Sequence, residues 1–354
     1  MKIKWTVTQV FVFLITILSV NSSARDFLTV TAVGDILMGT TYPGDILPPG
    51  DGVEIFDSVK QFIRQGDIAF GNLEGPLIDG GTPGKCGKNR DAAQQCYEFR
   101  MPTRYAKHFK EAGFNVLSIA NNHSLDFGRE GLESTVNALA SEEIQAAGGG
   151  RIASFPIREK KIALVGFSFL QDSPYSYSIM DISRAKYIVS QVKSRNDLVI
   201  VSFHGGAEGR EALGTLDVYE VYRGEKRGNP VSFSRAVIDS GAALVLGHGP
   251  HVPRALEVYK GKLIAYSLGN FVAYGIMNTR GPSGVSYILK VKLDMETGDF
   301  MGGNIVSVEL VNKGIPWVDP GHRALNLIKR LTEKGRKEQR PVLEENGELR
   351  PPSD

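Results

Sequence analysis

Five apolar, β-rich runs in this chain each stop beside glycine, asparagine or another small residue, and each stop carries a side chain able to bind a metal ion. The runs cover 27–33, 67–71, 114–120, 198–203 and 243–246, and they lead to Asp35, to Glu74, to Asn122 with His123, to His204, and to His248 with His251. Segments of helical periodicity separate them, at 55–64, 103–112, 129–140, 182–193 and 231–239, and a further strand pattern covers 161–169. Strand–helix alternation of this kind predicts an α/β fold with a largely parallel sheet and crossover helices. In open α/β sheets, ligands bind beyond the carboxyl ends of the strands, so loops from several strands meet at one place. Glycines 34, 39, 71, 75, 205, 206, 247 and 249 let the backbone approach closely there.

The pattern changes after residue 253. Two strand-like runs flank Lys260-Gly261 and predict a hairpin, and 287–294 and 305–311 continue the β signal before a helix at 322–334. Strands without intervening helices call for mixed or second-sheet pairing, so two packed sheets flanked by helices accommodate both halves. No linker-like stretch interrupts the middle of the chain, which predicts one large domain over 25–335. The charged, proline-bearing stretch 336–354 is expected to be a disordered tail.

Histidine placement sharpens the functional reading. The chain has six histidines, and 123, 204, 248 and 251 all fall in strand-end loops, whereas His108 and His322 do not. Carboxylate, amide oxygen and imidazole without thiolate suit Zn, Mn or Fe rather than a cysteine-type structural zinc site. Asp35, Glu74, Asn122, His204, His248 and His251 exceed what one tetrahedral ion needs. A pair of divalent ions about 3.5–4 Å apart, bridged by a carboxylate, would use them all and would activate water near neutral pH.

The N-terminus predicts export. Lys2 and Lys4 precede an apolar run, 10–20, followed by small polar residues, which marks 1–24 as a secretory signal. The run is well short of the roughly 20 residues that span a bilayer. The expected location is periplasmic or cell-surface, membrane-anchored if the signal is retained. In an oxidising compartment Cys86 and Cys96, the only cysteines, can close a short loop; two free thiols are the alternative. The formal net charge of +2 makes no case for a nucleic-acid partner. Gly148-Gly149-Gly150 is a turn without the Gly-Lys-Ser/Thr of a nucleotide-phosphate loop.

Six ordered segments carry a specific resemblance: Gly34-Asp35-Ile36-Leu37-Met38-Gly39, Asn72-Leu73-Glu74, Asn121-Asn122-His123-Ser124-Leu125-Asp126-Phe127-Gly128, His204-Gly205-Gly206-Ala207-Glu208, Gly247-His248-Gly249-Pro250-His251-Val252 and Tyr266-Ser267-Leu268-Gly269-Asn270-Phe271. Together they resemble the CapA-type poly-γ-glutamate capsule biosynthesis proteins, a family similar in fold to the calcineurin-like metallophosphoesterases. The resemblance implies a four-layer α/β/β/α sandwich. It implies that Asp35 and His251 hold one ion, that Glu74 bridges, and that Asn122, His204 and His248 hold the second. It makes His123 the general acid for the leaving group, a role suited to imidazole. Asp126 either orients His123 or caps the helix that follows.

The chain departs from the pattern. Position 37, where phosphoesterases of this fold place histidine, is leucine; the last histidines are spaced His-x-x-His; and Gly205 stands where many capsule-family members have tryptophan. These departures bear on catalytic competence more than on fold. Arg100, Glu208, Arg254 and Asn270 are further candidates for substrate contact, the arginines because a guanidinium fork matches carboxylate or phosphate. The expected partners are an anionic polymer or phosphoester substrate and membrane-associated polymer synthesis or export proteins. Two functions follow: a metal-dependent hydrolase, or a non-catalytic component that binds or exports an anionic polymer.

Overall fold

The computed structural model describes residues 1–2, 27–86 and 96–353. The expected secretory signal falls almost wholly outside them. In chain order the first half holds β1 (Phe27–Leu37), α1 (Lys60–Ile63), β2 (Ile68–Leu73), α2 (Ala106–Ala112), β3 (Val116–Ser118), α3 (Gly128–Ser141), β4 (Gln145–Ala147), β5 (Ile152–Ile157), β6 (Lys160–Ser168) and α4 (Ile182–Lys193). The second half holds β7 (Leu198–His204), β8 (Glu220–Tyr222), β9 (Glu225–Gly228), α5 (Pro230–Ile238), β10 (Leu244–His248), β11 (Leu256–Tyr259), β12 (Lys262–Ala265) and β13 (Asn270–Ala273). It closes with β14 (Val285–Asp294), β15 (Phe300–Val311), β16 (Ile315–Val318), α6 (Arg323–Thr332), β17 (Val342–Leu343) and β18 (Glu348–Arg350). Among the described residues no helix is long and apolar enough to cross a membrane.

Two sheets carry the fold. The larger runs β17-β18-β15-β14-β1-β2-β3-β4, with β13 also on β1 and β16 on β15; the smaller runs β11-β12-β10-β7-β6-β5. β1 to β4 pair in parallel, as do β6, β7, β10 and β12. β14 and β15 pair antiparallel, and β11–β12 is the hairpin expected around Lys260-Gly261.

Period-two alternation sorts the apolar side chains into layers. Leu28, Val30 and Ala32 of β1, Ile68 and Phe70 of β2, Ile162 and Leu164 of β6, Leu198 and Ile200 of β7, and Leu244 and Leu246 of β10 fill one core between the sheets. The intervening residues pack outward. Val33, Ala69 and Leu117 meet Ile63, Phe109 and Leu139 of α1, α2 and α3. Ala163, Val199, Val201 and Val245 meet Val189 and Val192 of α4 and Val237 of α5. The result is the α/β/β/α sandwich.

Local signals set the helix ends. Asp181 caps α4 by accepting from the Arg184 amide, and Asn229 caps α5 with Pro230 in its first turn. The helix expected over 55–64 shortens to α1, its first part being turns. The tail expected to be disordered is ordered instead. β18 pairs with β15 and β17 with β18, and Leu349 is fully buried in the inter-sheet core. An open edge of β15 and space for one leucine outweigh the charged composition.

Candidate metal centre

The inward-facing series of each central strand ends on a polar side chain. On β7 the series 198, 200, 202 reaches His204; on β10, 244 and 246 reach His248; on β2, 68 and 70 reach Asn72 and, two further on, Glu74. Pairing aligns them into rows. Ser168, His204 and His248 lie side by side across β6, β7 and β10, and Asn270, Asp35 and Asn72 lie side by side across β13, β1 and β2. The register of β1 slips between Ala32 and Asp35, a bulge that turns Asp35 toward the other sheet. Gly34 makes this possible, since a Cβ there would lie 1.8 Å from the Gly269 carbonyl oxygen.

The two rows face each other across a fully buried gap. Ligand atoms of Asp35, Glu74 and His204 all lie within 4.8 Å of one another. His204 Nδ1 is 3.6 Å from Glu74 Oε2, and His248 Nδ1 is 3.6 Å from Asp35 Oδ1. His251 Nδ1 donates to Asp35 Oδ2 at 2.9 Å and to Asn270 Oδ1 at 3.0 Å. Asn72, not singled out as a site residue from sequence, holds the carboxylates apart. Its Nδ2 donates to Asp35 Oδ1 at 2.8 Å and Glu74 Oε2 at 2.7 Å. Its Oδ1 accepts from Asn121 Nδ2 at 3.1 Å, and Asn121 Oδ1 accepts from the His123 amide at 3.0 Å.

Electrostatics follow from burial. Burial holds His204 well below the usual imidazole range and His248 at about 4, so both rings are neutral, the form that binds metal. Burial also lifts Glu74 well above the carboxylate range, and the charge of Asp35 adds to the lift. At Asp35 burial pushes the same way, but the hydrogen bond and charge of His251 prevail and hold it low. Burial pulls His251 down, yet the bond and charge of Asp35 raise it to about 10.

The residues fit divalent cations. Glu74 Oε1, Asn122 Oδ1, His204 Nε2 and both ring nitrogens of His248 are buried with no hydrogen-bond partner in the protein. Leaving these polar atoms orphaned together would be costly without a cation among them. A cation would also reverse the penalty on Glu74.

Beside this cluster opens a cleft of about 1370 Å3, lined by Asn122, His123, His251 and Asn270 and, further out, by Lys85, Phe99, Glu208, Tyr222 and Arg227. His123 Nδ1 donates to Asp126 Oδ2 at 2.7 Å. The same carboxylate oxygen accepts from the Phe99 amide at 2.8 Å, and helix α3 has no side-chain cap. Asp126 thus bonds the His123 ring and does not cap the helix. Burial, the largest influence, lowers the His123 pKa, and Asp126 opposes it.

The other candidates fall on both sides of the line. Asn270 lines the cleft and supports His251; Glu208 lines it but pairs with Arg227 at 2.8 Å. Arg100 lies outside the cleft. It donates to Thr41 Oγ1 and O and lies near the rings of Tyr42 and Phe127, which makes it a packing residue. Arg254 is also structural, buried and held by Glu220 through two bonds of 2.8 Å. Glu220 Oε2 also accepts from the Ala207 amide, so this pair fastens the β8–β9 hairpin to the loop after His204. Cys86 and Cys96 are joined in a disulfide. Leu37 is fully buried in the core beneath the helices and supplies nothing to the cluster.

The layers and the cluster at the strand ends define an α/β/β/α protein with a candidate metal centre between its sheets. Residues 29–274 match the model of the family described as bacterial capsule synthesis protein PGA_cap. The chain belongs to this family. It is 29% identical over 287 residues to the PGA biosynthesis protein CapA of Bacillus subtilis (strain 168), covering 77% of this chain and 70% of that protein. It is 29% identical to the capsule biosynthesis protein CapA of Bacillus anthracis, covering 77% and 66%. Among solved structures it is similar to a phosphatase from Mycoplasma pneumoniae (TM-score 0.48, 15% identity, 85% of this chain and 99% of that one). It is also similar to a hypothetical protein from Thermus thermophilus (TM-score 0.45, 14% identity, 80% and 99%).

Proposed function

We propose that this chain is an exported, metal-dependent hydrolase of capsule-polymer biosynthesis, acting on a phosphoester or on an amide of an anionic polymer. The observation that carries the reading is the His123–Asp126 pair, 2.7 Å apart in a cleft that is also lined by Asn122 and His251 of the candidate metal centre. Two divalent ions held by Asp35, Glu74, Asn122, His204, His248 and, once it gives up its extra proton, His251 would supply Lewis-acid activation of water and neutralise charge on the reacting oxygen.

The chain's own residues supply the rest. Asp126 commits Nδ1 of His123, leaving Nε2 for the cleft, and it stabilises the imidazolium that proton transfer requires. His123 then delivers a proton to the departing oxygen or nitrogen. Asn72 keeps the two carboxylates at a fixed separation, and Asn270 holds the His251 ring. The cleft exceeds the roughly 300–1,000 Å3 of small-molecule pockets, which supports a polymer segment as the occupant. The disulfide fits an oxidising compartment.

The test is turnover of a generic aryl phosphate by the purified full chain loaded with Mn or Zn. Turnover that chelator abolishes and His123→Ala suppresses supports the reading, while an unchanged rate in that variant rejects the acid assignment. The placement of Leu37 in the apolar core favours a second reading, in which the ions shape a polymer-binding site without turnover. Chelator-sensitive polymer binding with no hydrolysis would select it.

A further inference from the structure

Lys85 stands between the disulfide and the His123–Asp126 pair. It precedes Cys86, whose amide donates to Glu98 Oε1 at 2.9 Å, and its ammonium donates to the carbonyl of Tyr97, the residue after Cys96, at 3.2 Å. The bridge between Cys86 and Cys96 thus holds together the two backbone segments that aim Lys85. From there Lys85 Nζ reaches 3.2 Å from Asp126 Oδ1 and 3.3 Å from His123 Nδ1.

An ammonium has three N–H groups and no lone pair. One is used by Tyr97 O and a second faces Asp126 Oδ1. His123 Nδ1 cannot accept the third, because its proton lies on the 2.7 Å bond to Asp126 Oδ2. Lys85 lines the cleft with 27% of its side chain exposed, so the remaining N–H has the cleft to donate into. Arg227, which also lines the cleft, is spent on Glu208 and Glu225, each at 2.8 Å.

We propose that Lys85 binds an anionic oxygen of the substrate, phosphoryl or carboxylate, beside His123, and that the Cys86–Cys96 bridge positions it to do so. The proposal rests on reading the cleft as the substrate site. It does not require turnover.

The test is equilibrium binding of inorganic phosphate and, separately, of a glutamate oligomer to the full chain in the presence of Mn. The proteins compared are wild type, Lys85→Met, Lys85→Arg and Cys86→Ser/Cys96→Ser. A charge-assisted hydrogen bond of this kind predicts roughly 10- to 100-fold weaker binding in Lys85→Met. Metal stoichiometry should stay as in wild type, Lys85→Arg should recover part of the loss, and the serine variant should weaken binding in the same direction. Loss with phosphate alone identifies a phosphoryl oxygen, and loss with the oligomer alone a carboxylate. Equal affinity of wild type and Lys85→Met for both probes overturns the proposal, as does a wild type that binds neither. Aryl-phosphate turnover in a wild type that binds neither probe would leave the hydrolase reading standing. Probe binding lost in Lys85→Met, without turnover in wild type, would sustain Lys85 and reject hydrolysis.

Discussion

His248 lies opposite His204 in the parallel register of β10 and β7, so two neutral imidazoles stand at adjoining strand ends. Neighbouring strands are about 4.8 Å apart, a spacing at which two rings can serve one centre. The facing row of Asp35 and Asn72 on β1 and β2 supplies the acidic side, and the sandwich brings the rows together. The candidate metal centre depends on that juxtaposition.

His123→Ala should lower the metal-dependent rate by about 10²- to 10⁴-fold, the usual contribution of a positioned proton donor. Asp126→Asn should lower it less, because the ring remains but loses its orienting anion. Steady-state kinetics on an aryl phosphate measures both, and equal rates in all three proteins would remove the pair from the mechanism.

Asn72→Ala should cost metal affinity before it costs fold. The side chain touches no solvent and donates to both Asp35 and Glu74. Loss of such a supporting partner weakens binding roughly 10- to 100-fold. Calorimetric titration with Mn or Zn gives the number.

Metal should stabilise the folded chain, since Glu74, His204 and His248 each bury polar atoms without partners. At a metal concentration about 100 times Kd, one site contributes about 2.7 kcal/mol. The gain in Tm on adding metal should be largely absent in His204→Ala, and an identical gain there would place the ion elsewhere.

Leu349→Ala should destabilise the protein by about 2–5 kcal/mol, the range for a buried leucine. Removing the residues after 340 should do at least as much. Chemical denaturation reports both, and a neutral truncation would show that β17 and β18 add nothing.

Asp319 sets an acid limit. Burial pushes its pKa up, but hydrogen bonds from the Arg323 side chain and amide and from the Gly321 amide prevail and hold it below the usual value. A carboxylate lowered by folding stabilises above its unfolded pKa of about 4, and that contribution fades as pH falls through the folded value. Asp319→Asn should therefore lower stability near pH 7, and the difference from wild type should shrink as pH falls below about 4. A pH series of denaturation curves checks the slope.

Much of this was legible residue by residue. The helix expected over 182–193 forms at Ile182–Lys193 because its cap, Asp181, and its apolar stripe are local. The strands leading to Asp35, Glu74, His204 and His248 were visible because each is an apolar run broken by a polar stop. Asn72 could have been found as well, since it shares with Glu74 the alternation that faces inward. β13 and β18 could not: four and three residues become strands only because β1 and β15 offer edges to pair with.

Local pattern was enough for the layers and for the polar side chains at the strand ends, because alternation and strand-end chemistry are properties of neighbouring residues. Which side chains meet was settled by the packed fold. Packing set the row that joins His204 to His248, the bulge that turns Asp35 inward, and the placing of Lys85 at His123 while Arg100 and Arg254 are spent on structure. Those outcomes rest on contacts between residues far apart in the chain, whose register and separation no local pattern encodes.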